Sequence, residues 1–95
     1  MKQTALGFVE TLGLVPALLA TDTMLKKADV ELISYENIGS TLVTIVVEGD
    51  VDSVRTAVEA GVAAARGVGT VTAYNVMPRP IEEIAEIVSI YDVDA

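Results

Sequence analysis

A chain with no histidine and no cysteine has few ways to move protons or form covalent bonds. The common proton shuttle, the common zinc ligands and the thiolate nucleophile are all missing. Ser34, Ser40, Ser53 and Ser89 therefore have no histidine to activate them, and their spacing argues for no Ser-Lys pair. The carboxylates Glu82-Glu83 and Asp50/Asp52 fall at the starts of predicted helices, where the helix dipole already accounts for them. Gly67 and Gly69 follow a helix and lack the strand-then-helix setting of a phosphate loop, so they read as a helix stop and a turn. Tyr35 and Tyr74 sit in strand-like runs and read as packing residues with a hydrated hydroxyl. Arg79 stands between Pro78 and Pro80. A guanidinium on so stiff a backbone suits a fork-like contact with carbonyls or carboxylates as well as it suits a solvated loop. No set of residues points to catalysis, a cofactor or a metal ion.

The remaining polar feature is ENIGSTLVT at 36–44, where two strand-like runs meet at Gly39-Ser40. Glycine at the first central position is what a type II′ hairpin turn needs, because that position has positive φ.

These residues must be positioned by one small domain, since the chain has 95 residues. It is 52% hydrophobic, with a mean hydropathy of +0.52. That is more apolar surface than a lone domain of this length hides, so contact with other chains is expected. A net charge of -8 argues against nucleic acid, whose phosphates need a basic face, and it keeps a sticky chain soluble. The absence of cysteine excludes a disulfide framework and fits the cytoplasm. No run reaches the roughly 18 apolar residues of a membrane span. The stretch from Lys2 to PALLA only loosely mimics a secretory signal, because Gly7, Glu10, Gly13 and Pro16 interrupt it.

Alternation over 4–11 predicts a strand buried on both sides, with Leu6 and Phe8 on one face and Ala5, Gly7 and Val9 on the other. The small residues there predict a close neighbour. After Gly13, the run LVPALLATDTMLKKA predicts a helix, with Leu14, Ala17, Leu18, Thr21, Leu25 and Ala28 as its apolar stripe and Lys26 and Lys27 at its negative end. Strands follow over 30–38 and 41–48. A second helix begins at Asp50 or Asp52 and ends at Gly67, with Val51, Val54, Val58, Gly61, Val62 and Ala65 on its apolar stripe. A fourth strand over 70–77 is closed by Pro78-Arg79-Pro80. An amphipathic terminal helix carries Ile81, Ile84, Ala85, Val88 and Tyr91 before a frayed acidic end, so the domain core spans about 4–88. The order β-α-β-β-α-β is the ferredoxin-like split βαβ pattern of the α+β class: a four-stranded antiparallel sheet with two helices on one face.

The segments ALGFVETLGLVPAL, MLKKADVELISYENIGS, LVTIVVEGDVDSVRTAVEAG and the closing PRP together resemble the single-domain hexameric shell proteins of bacterial microcompartments. The similarity runs from about residue 4 to about residue 84 and is nearer to the propanediol and ethanolamine metabolosome proteins than to the carboxysomal ones. It implies a BMC domain that forms a cyclic homo-hexamer, a flat tile that meets other shell hexamers and other shell proteins edge to edge around encapsulated enzymes. A heterologous ring of this kind buries two different faces of every subunit, which answers the apolar excess.

The resemblance places Lys26 and Arg79 along the hexamer edge, with Asp29 nearby. It also lines a central pore with Asn37, Gly39 and Ser40, for small polar metabolites. The chain departs from the family pattern at Asn37, where lysine is frequent, at Thr41 for glycine, at Glu48 for a basic residue, at Asp29 for asparagine and at Ile81 for histidine. Lost positive charge near the opening argues against a preference for anionic metabolites. Amphipathic targeting helices of enclosed enzymes are a further implied partner. No catalysis, cofactor, nucleic acid or membrane is expected, and the place is the microcompartment shell within the cytoplasm. Two other classes were weighed. A regulatory domain of the same fold, binding a small molecule, would hold an amino acid or nucleotide at a subunit interface; the nucleotide version needs a basic or glycine-rich phosphate loop, which is not visible. A hydrolase of acylphosphatase shape would need a glycine loop ending in arginine near the first strand, and Thr11-Leu12-Gly13 supplies no arginine.

Overall fold

The computed structural model describes residues 5–37 and 41–78. In chain order they form β1 (Ala5–Leu12), α1 (Leu14–Lys27), β2 (Glu31–Glu36), β3 (Leu42–Gly49), α2 (Val51–Arg66) and β4 (Thr70–Pro78). The strands make one antiparallel sheet in the order β2-β3-β1-β4, which is the predicted split βαβ topology. The predicted terminal helix and PRP segment beyond Pro78 lie outside the described residues.

Alternation places Ala5, Val9, Val43, Ile45 and Val47 on the helix-covered face of the sheet. Against them lie Ala17, Ala20 and Met24 of α1 and Val54, Ala57, Val58, Val62 and Ala65 of α2. Leu6 and Val46 turn to the opposite face, where Phe8 and Ile33 pack on them. β1 is therefore buried on both sides, as its sequence implied. The expected close neighbour of its small residues is α2: a Cβ on Gly7 would stand 2.6 Å from Val58 Cγ2 and 2.8 Å from Val54 Cγ1.

The stripe expected to be the buried face of α1 is buried only in part, at Ala17, with Ala28 packed beside the core. Pro16, Ala17, Ala20 and Met24 are buried, whereas Leu14, Leu18 and Leu25 of the predicted stripe are exposed. The reason is the closeness of α1 and α2. Gly61 lies against Met24, where an added Cβ would be 2.6 Å from Met24 Cγ, so the helices meet through small side chains that leave no room for leucines.

The α2 stripe is as predicted, with Val51 half-buried at its start. Asp50, not Asp52, is the cap: its carboxylate accepts the Ser53 backbone N–H at 2.9 Å and the Ser53 hydroxyl at 2.8 Å. Gly67 ends the helix in a right-handed conformation, with its N–H bonded to the Ala64 carbonyl. Two register shifts mark the sheet, between Leu32 and Ser34 on β2 and between Glu10 and Thr11 where β1 meets β4.

Candidate functional site

The β2-β3 connection is held from two sides. Glu36 pairs with Thr44 as the last described rung between the two strands, and Leu42 pairs with Leu12 of β1. The Gly13 N–H donates to the Thr41 carbonyl, tying the β1-α1 turn to the base of the connection. Gly13 does this at φ 94°, in the left-handed region that glycine takes without strain.

Of the predicted pore residues, Asn37 is exposed immediately after β2, and Gly39 and Ser40 lie outside the described residues. The expected Gly39-Ser40 turn lies outside them too; the last described rung before it, Glu36 with Thr44, follows a register shift at Ile33 on β2.

Large exposed apolar side chains gather at this end of the described residues. Leu12, Leu14, Val15, Leu42 and Val68 are exposed, Val15 at 66%. Val68 joins them through the α2-β4 turn, where Gly69 packs so closely on Pro16 that a Cβ would be 2.7 Å from Pro16 Cγ. From there α1 carries Leu18, 53% exposed, and Leu25 along its outer side. The sequence composition anticipated an apolar surplus, but the leucine spacing of α1 put Leu14, Leu18 and Leu25 on the core stripe, where the structure exposes them.

At the far end of α1 stand the residues predicted for an edge. Lys26 pairs with Asp22 one turn back at 3.0 Å, with both side chains open to solvent. Asp29 is exposed in the following turn, and Arg79 lies outside the described residues. Along a helix of 1.5 Å rise, Lys26 is about 20 Å from the Gly13 anchor. Lys26 and the Gly13–Thr41 hydrogen bond thus stand at opposite ends of α1.

Charge divides by layer. The four strands carry Glu10, Glu31, Glu36 and Glu48 and no lysine or arginine, while Lys26, Lys27, Arg55 and Arg66 are all on helices. Thr44, one rung below the connection, pairs with Glu10 on one side and Glu36 on the other. The Thr72 hydroxyl lies 2.7 Å from the Glu10 carboxylate and 3.2 Å from its backbone carbonyl. The hydroxyl of Tyr35 is not hydrated as expected: it is buried without a hydrogen-bond partner among the described residues, and burial pushes its pKa above the ordinary phenol value. Tyr74, expected as a packing residue, is instead exposed, with the Arg66 guanidinium 5.5 Å from its ring centroid. Among the described residues no His, Cys, Asp or Glu cluster could hold a metal ion, and no helix is long and apolar enough to cross a membrane.

Comparison with known proteins meets this geometry. The family model for the BMC domain matches residues 5–80, all six described elements. The chain is 54% identical to the bacterial microcompartment shell protein PduA of Citrobacter freundii over 87 residues, covering 92% of this chain and 94% of that one. It is 42% identical to the shell protein EutM of Salmonella typhimurium over 83 residues, 87% of this chain and 86% of that one. A crystal structure of a microcompartment protein from Desulfitobacterium hafniense superposes with a TM-score of 0.81 at 25% identity, over 93% of this chain and 48% of that one. By family model, relatives and fold together, the chain belongs to the BMC domain family and is a single-domain shell protein of the propanediol and ethanolamine type.

Proposed function

We propose that this chain is a structural tile of a bacterial microcompartment shell, a cyclic hexamer that packs edge to edge with its like and with other shell proteins in the cytoplasm. The observation that carries the reading is the set of exposed large apolar side chains among the described residues, Leu12, Val15 and Leu42 around the ends of β1 and β3 and Leu18 and Leu25 of α1. Exposed apolar surface of this kind marks an interaction site, and a ring places a neighbour over it. Relatives named as shell proteins over nearly their full length support the same role.

In this reading six connections converge on the axis, so that Asn37, Gly39 and Ser40 line a pore, while Lys26, Asp29 and Arg79 meet neighbouring hexamers. The separation of Lys26 from the Gly13–Thr41 anchor by the length of α1 agrees with one group at the centre and the other at the rim. The pore passes small polar metabolites, and the carboxylates of Glu10 and Glu36 beside Thr44 give anions no advantage there. The chain performs no catalysis: its work is to tile, to admit substrate and product, and to slow escape of an intermediate.

Ser40→Leu tests the pore. Assembled shells carrying it should pass an enclosed enzyme's small polar substrate several-fold more slowly while the shells stay intact by electron microscopy. Unchanged uptake would mean that molecules cross elsewhere.

A further inference from the structure

The exposed face of α1 ends in an ion pair whose order along the helix is the favourable one, aspartate four residues before lysine. Asp22 and Lys26 lie 3.0 Å apart with side-chain exposures of 56% and 73%, so the pair adds little to the fold itself. Its effect falls on the lysine. A free lysine side chain is long and samples many rotamers, all of which must be given up when its ammonium enters a contact. Held by Asp22, the stem is already laid along the helix. An ammonium has three N–H donors, and one bond to Asp22 leaves two for acceptors beyond the chain.

We propose that Asp22 is the positioning residue for lateral assembly: it fixes the Lys26 ammonium at the end of α1 and leaves its remaining donors for acceptors of the adjoining tile. This rests on the reading of Lys26 as an edge residue. Asp22 acts through Lys26 and makes no lateral contact of its own.

The test is the critical concentration for sheet formation, followed by light scattering, in wild type, Asp22→Asn, Asp22→Glu and Lys26→Ala. Asp22→Asn keeps the size and removes the charge, and should raise the critical concentration about two- to five-fold, the range of an exposed ion pair. Asp22→Glu, which retains a carboxylate four residues before the lysine, should stay near wild type, and the melting temperature and native mass of the isolated oligomer should be unmoved in both. An unchanged or lowered critical concentration in Asp22→Asn, with Lys26→Ala raising it strongly, would overturn the positioning role alone. If Lys26→Ala itself left the critical concentration unchanged, the edge assignment would fail and the positioning role with it.

Discussion

Gly7 has no room for even a methyl group. Val58 and Val54 of α2 lie within 2.6 and 2.8 Å of where a Cβ would stand, with Val47 of β3 at 3.1 Å. Gly7→Ala should therefore destabilise the fold by about 1–3 kcal/mol through overpacking, measured by chemical denaturation; a gain in stability would show that the helix layer can lift. Asp50 makes a different kind of residue-scale statement. Its hydrogen bonds from the Ser53 N–H and hydroxyl hold its carboxyl below the ordinary aspartate value, so its contribution is complete above the unfolded-state pKa and is lost as pH falls through the lowered one. Thermal melts should lose less on acidification in Asp50→Ala than in wild type, and parallel losses would contradict the cap. Sequence alone left Asp50 and Asp52 equal, because either can precede a helix. The choice came from which carboxylate Ser53 reaches, a matter of backbone direction that composition does not encode.

At the scale of elements, α2 was legible and α1 only half so. In α2 one stripe of valine, alanine and glycine is apolar and the opposite face is charged, so periodicity and burial agree. In α1 leucines and alanines occupy different stripes, and the heavier stripe was taken as the buried one. Packing chose the lighter, because Gly61 and Met24 bring the helices too close for leucine at the crossing. A helix that is apolar on two sides has more apolar surface than one packing face accounts for, and under the proposed ring the second face meets another chain. Leu18→Glu should thus leave helical circular dichroism intact and change monomer stability by no more than about 0.5 kcal/mol, while shifting the native mass downward. Loss of helicity with the mass would place Leu18 in the core after all.

For the molecule as a whole, strand order followed from the element sequence, since few topologies satisfy the connection rules. The register shift at Ile33 on β2 was not legible, since no local signal in ELISYE announces it. Nor does a single chain display its symmetry. The candidate pore and edge came from resemblance, and what the fold adds is that α1 separates Lys26 from the Gly13–Thr41 hydrogen bond, with Leu18 and Leu25 exposed along it. The central claim is that six chains close a ring over that surface. Native mass spectrometry of the purified protein tests it most directly: the account predicts a dominant species at six times the 10.0 kDa chain mass, and a population confined to monomer, dimer or trimer would contradict it.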